Sequence, residues 1–454
     1  MTIQDSEDVD FDSEVPVLII GAGAAGLCAA LAASEAGIEP VLIERDAVPS
    51  GSTALSAGLI PAAGTRFQRV RGIADAPELF AQDIAHKAHN EADAKLVQTV
   101  ARGAGPLVEW LADTYAMPFE VITDFNYPGH SAHRMHGLPS RTGAELIDRL
   151  RSAVEARDIP ILTGRTAETL FVDENGFVEG IEVRGGGASE TIGCGALVLA
   201  CNGYGGNPEL VRQHIPEMAN AFYFGHPGNQ GDAVRWGEVL GAKLSSLSGY
   251  QGHGSVATPH NILITWAAIM EGGFQVNAQG RRFSNESRGY SEAAAEVLRQ
   301  PDGIAFDIFD ARIAGIARQF EDFKTAEKAG ALVAADSFDE LATRIGVAAE
   351  ALKSEANVEL GKPDRFGRTF EKKLAAPYCA IKVTGALFHT QGGLAIDTRT
   401  RVLRQKGPAF LNLFAAGGAA VGVSGMQASG YLSGNGLLTA TVFGRLAGQA
   451  AAKL

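Results

Sequence analysis

The chain lacks the features that would assign it to several common classes. Cysteine is scarce: four residues in 454. Cys28, Cys194, Cys201 and Cys379 are scattered through apolar segments and have neither metal nor haem spacing. Nothing in that spacing points to a disulfide framework, so a reducing cytoplasm is the expected location. Aromatic residues are 7%. No apolar run is long enough to read as a membrane span. Basic residues are outnumbered, 39 to 52, and the formal net charge of −13 makes nucleic acid an unexpected partner. Met1 to Glu14 has no basic region followed by an apolar core, so it is not read as a secretory signal. Residues 1–14 are expected to form a disordered acidic tail.

Glycine is abundant, with 55 residues, which suits a chain that runs close along a large ligand. The length allows two or three domains with a large core. The most informative stretch is Val15 to Glu44. A buried strand, Val-Pro-Val-Leu-Ile-Ile, runs into Gly21-Ala-Gly23-Ala-Ala25-Gly26. A small-residue helix and a second strand, Val41-Leu-Ile-Glu44, follow. Gly21 permits the tight turn, Gly23 lets the backbone approach a pyrophosphate, and Gly26 lets helix and strand pack closely. The helix start offers free N–H groups and a positive dipole end to phosphate. Glu44 lies about 20 residues on, where an acid can bind ribose hydroxyls. With strand, helix, second strand and terminal acid all present, a dinucleotide-binding domain is predicted.

Further along, Gly51 to Gly58 is a Gly/Ser loop. Arg141 to Ala156 reads as a helix with Thr142 as N-cap and Glu145 three residues on. Ala196 to Cys201 is a buried strand leading into Asn202-Gly203. The character changes near Gly252: strands around Phe274 to Phe283 give way to an Ala-rich, charged surface helical layer over Phe309 to Leu360. Glycine-rich α/β character returns near Ala380. The simplest account is one domain interrupted by another, with boundaries at 15–252, 253–374 and 375–454.

Five segments in order give the chain a resemblance to the fumarate reductase and succinate dehydrogenase flavoprotein superfamily, including the 3-ketosteroid dehydrogenases. They are the glycine fingerprint; Gly51 to Gly58; Leu197-Val-Leu-Ala-Cys-Asn-Gly203; Gly280-Arg-Arg-Phe-Ser-Asn-Glu286; and Phe414-Ala-Ala-Gly417 with Gly434-Asn435. The resemblance covers nearly everything after Val15. It implies an α/β fold in which a Rossmann-like FAD-binding domain of the glutathione-reductase type is interrupted by an inserted α+β capping domain. It further implies that Gly21, Gly23, Ala25, Gly26, Glu44 and Arg45 serve the dinucleotide and its ribose. Ser52, Thr53, Ser56, Ala57 and Gly58 would line the pyrophosphate and flavin ring. Asn202, Gly203, Gly417, Asn435 and Leu437 would complete the cofactor site. Relatives that attach FAD covalently use a histidine after the second strand. Pro49-Ser-Gly-Ser-Thr-Ala54 has none, so non-covalent FAD is expected. No Cys-x-x-Cys-His haem motif occurs.

The same resemblance places His389, in His389-Thr-Gln-Gly-Gly393, and His253 at substrate-binding positions. The arginine that fumarate reductases carry before Gly-Gly-Asn is replaced by Tyr431, which puts a bidentate carboxylate clamp in doubt. Three tyrosines instead match 3-ketosteroid dehydrogenases: Tyr290 as catalytic base, Tyr431 as donor to the ketone, and Tyr127 as a support. The chemistry calls for such groups. Removing hydrogen from carbons beside a carbonyl requires an α-proton acceptor and a donor to the developing oxyanion. Arg134 and Arg288, with His389, hint at a substrate bearing one carboxylate. His130, His133 and His136 recur at three-residue spacing, but the Pro and Gly around them favour a loop over a metal site.

The expected function is therefore an FAD-dependent dehydrogenase that introduces an α,β double bond beside a ketone. Its substrate would be a 3-ketosteroid or a smaller cyclic ketone or keto acid, and its electron acceptor oxygen, a quinone or a carrier protein. The alternatives are a fumarate-type enoate reductase acting on a small carboxylate and a non-catalytic flavin redox sensor.

Overall fold

The computed structural model describes residues 2–454. Val17 to Ile20 are at most 6% exposed. Apolar on both faces, this segment becomes a central parallel strand. Ser13–Ile20 pairs in parallel with Pro40–Ile43 on one side and with Ala188–Leu199 on the other. The full strand order of this sheet is Thr2–Asp5, Thr166–Val172, Val178–Gly185, Ala188–Leu199, Ser13–Ile20, Pro40–Ile43, Ile161–Leu162. Ala188–Leu199 changes partner along its length. Residues 188–193 run antiparallel to 180–185, while Leu197–Leu199 pair in parallel with Leu413–Ala415. The C-terminal segment thereby joins the sheet that the N-terminal segment began.

The fingerprint helix, Ala24–Glu35, buries every residue from Ala24 to Ala33. Its small side chains admit the C-terminal helix, Asn435–Ala451, at very close range. A Cβ on Gly444 would lie 2.3 Å from the Ala25 carbonyl oxygen, and one on Gly448 2.0 Å from that of Ala29. Thr142 caps the helix Gly143–Glu155 by accepting from the Glu145 N–H, as its sequence position predicts.

The chain divides into two compact units. The first comprises Met1–Pro216, Gly225–Tyr250 and His389–Leu454; the second comprises Glu217–Phe224 and Gln251–Phe388. The second unit is built on a sheet ordered Ile262–Leu263, Tyr250–Ala257, Tyr378–Thr390, Ile304–Asp310, Phe274–Val276. Its return point lies later than composition suggests, because Tyr378–Thr390 is one long strand of this sheet. The predicted helical layer is also interrupted: Leu332–Ala335 pairs with Tyr378–Ile381.

The acidic N-terminal segment differs from expectation. Thr2–Asp5 forms an edge strand against Thr169–Val172. Strand structure resumes at Ser13, and Asp12 accepts from the Thr191 backbone N–H and hydroxyl. Edge strands need only backbone pairing and tolerate polar side chains, so composition alone misreads the segment. Among the described residues, no helix is long and apolar enough to cross a membrane.

Candidate active site

The fingerprint turn is held from several sides. Gly21 has φ +104°, a conformation that L side chains rarely adopt. A Cβ on Gly26 would sit 1.8 Å from the Gly21 carbonyl oxygen, so only glycine fits there. Glu44 accepts from the Ala22 and Asp46 N–H groups at 2.8 and 3.0 Å, which ties the end of the second strand to the glycine loop. A carboxylate has about four acceptor sites, so two remain for a ligand. Arg45 is a strut: it donates to the Gly228 carbonyl and pairs with Asp232, each at 2.7 Å. Thr53 accepts from the Ala24 N–H at the fingerprint helix start. Ser52 accepts from the His226 N–H and from the Asn229 amide, and Ser56 donates to the Thr53 carbonyl and accepts from the Gly58 N–H. Ala57 is half-buried in the same loop.

Asn202, at φ +64°, accepts from the Gly203 N–H. Gly417, at φ +63°, leaves a cradle in which a Cβ would meet Ala25 at 3.1 Å. The C-terminal helix starts with Gly434 as N-cap and has no side-chain cap. Its first residue, Asn435, is fully buried with Oδ1 unpartnered, and Leu437 follows in the same turn, half-buried.

At this helix start lies the first unit's polar pair. His389 and Tyr431 stand edge-on, centroids 5.5 Å apart at 78°. The Tyr431 oxygen accepts from the Gly436 N–H at 3.3 Å. A Cβ on Gly436 would lie 2.6 Å from His389 Nε2, so the missing side chain makes room for the imidazole. Burial pushes His389 down to about 4, which leaves the ring neutral at physiological pH. Burial raises Tyr431 above the ordinary phenol range despite the opposing backbone hydrogen bonds. The phenol therefore keeps its proton and can donate it to an acceptor.

The second unit has its own aromatic cluster. Tyr290 begins the helix Tyr290–Leu298 and stacks on His253, centroids 4.7 Å apart at 19°. Trp266 and Phe388 flank His253 at 5.7 and 5.5 Å. His253 Nδ1 accepts from the Ser255 N–H, and burial holds the ring down to about 3, hence neutral. In the same unit, Glu286 is held between Arg282 and Arg368.

Of the two arginines named from the sequence, Arg134 is already committed to other partners. Arg134 is fully buried and locked to Asp75 and Asp83, with its guanidinium over the Phe80 ring. It is an internal ionic anchor, and its sequence neighbourhood of histidines gave a misleading functional signal. Arg288 is exposed. Tyr127 is half-buried against Phe125, centroids 5.1 Å apart, and burial raises its hydroxyl to about 12. His136 bonds Thr65 through Nε2 and the Arg134 carbonyl through Nδ1, while His130 Nε2 donates to the Ser433 carbonyl. Among the described residues, no group of three or more His, Cys, Asp or Glu is arranged to hold a metal ion.

A glycine turn, an acid tied to it and a second helix that starts from a glycine call for comparison with known nucleotide-binding chains. The family model described as "FAD binding domain" matches residues 16–437. The chain belongs to that family. A probable fumarate reductase, Ifc3 of Shewanella frigidimarina, is 32% identical over 445 residues, covering 96% of this chain and 74% of that protein. The open conformation of a flavocytochrome c3 fumarate reductase superposes with a TM-score of 0.83 at 30% identity, covering 98% of this chain and 79% of that one. The 3-ketosteroid-delta4-(5alpha)-dehydrogenase of Rhodococcus jostii RHA1, solved with 4-androstene-3,17-dione, gives 0.79 at 25% identity over the whole of both chains. This flavoprotein is thus an FAD-dependent oxidoreductase with the fold shared by fumarate reductases and ketosteroid dehydrogenases.

The residues present fit FAD. The fingerprint and C-terminal helices present positive dipole ends with no side-chain cap from their own N-cap residues, Gly23 and Gly434, and the unpartnered Asn435 Oδ1 supplies a buried acceptor. Sequence reasoning missed Gln391 and Ser424, which connect Asn435 to His389. The only signal was the placement of Gln391 two residues after a histidine already singled out.

Proposed function

We propose that this flavoprotein desaturates a neutral ketone at its α,β-carbons. The observation that carries the reading is the pairing of a protonated Tyr431 with a neutral His389 at Gly436, while Arg134 is locked in ion pairs elsewhere. A carboxylate bound at that pair would meet two neutral groups; a ketone oxygen needs only hydrogen-bond donors. This sets aside the part of the carboxylate hint that rested on Arg134. A compact cyclic ketone or a 3-ketosteroid suits the reading better than a keto acid.

In the proposed reaction Tyr431 donates a hydrogen bond to the ketone oxygen, which makes the α-carbon more acidic. Tyr290, acting as its phenolate, takes the α-proton on its oxygen and is left as the neutral phenol. The β C–H bond breaks with its electron pair, and the C–C double bond forms. The fingerprint, Glu44, the Ser52–Gly58 segment, Asn202, Gly203, Gly417 and the start of the C-terminal helix would hold FAD without a covalent link, and FAD would supply the hydride acceptor. His253 supports Tyr290 by stacking.

The decisive experiment is anaerobic mixing of the yellow holoenzyme with a panel of cyclic ketones and 3-ketosteroids. Bleaching of the flavin, lost in Tyr290→Phe with flavin content unchanged, is the expected result. A second reading, reduction of an enoate, is favoured by the fumarate-reductase name of the 32% identical relative. If the reduced enzyme is reoxidised by fumarate or a similar enoate and no ketone bleaches the oxidised enzyme, that second reading replaces the first.

A further inference from the structure

A chain of buried amide and hydroxyl groups runs from the C-terminal helix to His389. Asn435 Nδ2 donates to Ser424 Oγ at 3.0 Å, Ser424 Oγ donates to Gln391 Oε1 at 2.6 Å, and Gln391 Nε2 donates to His389 Nδ1 at 3.0 Å. Asn435 and Ser424 are fully buried and Gln391 is 4% exposed, so water does not compete for these bonds. The direction of the chain matters. Gln391 offers Nδ1 an N–H, which requires a lone pair there, and the ring proton must then reside on Nε2. A competitor stands beside it: the Thr390 carbonyl is 3.2 Å from the same Nδ1 and would prefer a proton on that nitrogen.

The chain has a reversed register. Turned over at both amides, Asn435 Oδ1 would accept from Ser424, Ser424 from Gln391 Nε2, and Gln391 Oε1 from a protonated Nδ1. That register leaves the Asn435 amino group, with two N–H donors, buried without partners. The register present leaves Oδ1 and only one of those two N–H donors unpaired, so it satisfies one buried donor more. Each unpaired buried donor costs about 1–3 kcal/mol, so the direction observed is the better satisfied.

We propose that Gln391, anchored through Ser424 to Asn435, is a positioning residue that fixes His389 as the Nε2–H tautomer and so makes it a second donor for the substrate's ketone oxygen. This rests on the ketone reading above and deepens it. A neutral Nε2–H favours an acceptor oxygen; the opposite tautomer would present a lone pair and repel it. Specificity for a carbonyl is thus encoded partly in a glutamine that need not touch the substrate.

The test is long-range 1H–15N spectroscopy of holoenzyme carrying 15N-histidine, with the His389 signals assigned by their loss in His389→Gln. The wild type should show a proton on Nε2 and none on Nδ1. In Gln391→Leu the Thr390 carbonyl should draw the proton to Nδ1, and the Kd of a non-reactive ketone should rise on the order of tenfold. Flavin content should be unchanged. Ser424→Ala, which frees the Gln391 amide to turn over, should give a mixture of tautomers and serves if the leucine variant fails to fold. A wild-type proton on Nδ1, or an unmoved Nε2 proton in folded Gln391→Leu or Ser424→Ala, overturns the proposal. The spectra need no substrate. If they come out as expected while no ketone bleaches the flavin, only the ketone reading falls.

Discussion

Tyr431 and His389 converge on Gly436, at the first turn of the C-terminal helix: the phenol oxygen accepts the Gly436 N–H, and the imidazole Nε2 occupies the space a side chain would need. A Cβ there would lie 2.6 Å from Nε2, closer than any real contact. Gly436→Ala is therefore expected to push His389 out of place and to lower kcat/KM on ketone substrate on the order of a hundredfold or more. Steady-state kinetics beside the flavin absorbance of the purified variant check this.

Tyr431→Phe removes the hydroxyl and keeps the ring against His389. Loss of one donor to a developing oxyanion typically costs about 10²–10³ in kcat. The expected variant is yellow, folded and slow. A variant with near-normal kcat removes Tyr431 from the proposed mechanism.

Arg134→Met should act on stability and not on substrate affinity. It leaves Asp75 and Asp83 facing an apolar side chain in a site where Arg134 and Asp75 have no solvent exposure. Breaking a buried pair in this way costs about 3–5 kcal/mol. Denaturant melts should show the loss, and whatever folded enzyme remains should keep its KM. A raised KM at unchanged stability would return Arg134 to the substrate site.

The buried imidazoles set an acid limit on the fold. Desolvation holds His130, His136 and His389 down to about 4 and His253 to about 3, against 6.5 when exposed. Their folded values lie below their unfolded ones, so the unfolded chain binds the extra protons. Stability is therefore full above about pH 6.5 and falls as the pH drops toward 4, by roughly 1.4 kcal/mol per pH unit for each histidine in the steep part. Chemical melts between pH 7.5 and 5 should show this fall, and His136→Gln should flatten it by about one proton. A pH-independent melt contradicts the assignment.

Gly26→Ala tests the fingerprint turn. The new Cβ would lie 1.8 Å from the Gly21 carbonyl oxygen, so the turn must open. Purified variant with less than about a tenth of the wild-type flavin is expected, since that turn is where the backbone approaches the pyrophosphate. Full flavin occupancy would show that the turn is not a cofactor contact.

Features carried by adjacent residues were legible in the sequence. The strand–glycine–helix unit, the Thr142 cap and the Tyr431–Gly436 stretch each state their geometry within a few positions. Features carried by distant partners were not. Arg134 looked like a ligand because Asp75 and Asp83, its two anchors, are 59 and 51 residues away. The tail looked disordered because an edge strand needs backbone partners, here Thr169 to Val172, and little from its own side chains. The role of Gln391 was invisible for the same reason: it depends on a serine 33 residues later.

The second unit takes in Glu217–Phe224, and the chain then leaves the first unit again after Tyr250 and returns at His389. Tyr290 and His253 lie inside that excursion; His389, Gln391 and Tyr431 lie outside it. Phe222–Tyr223 pairs with Ala386–Leu387, so any exchange of the second unit must carry Glu217–Phe224 together with Gln251–Phe388.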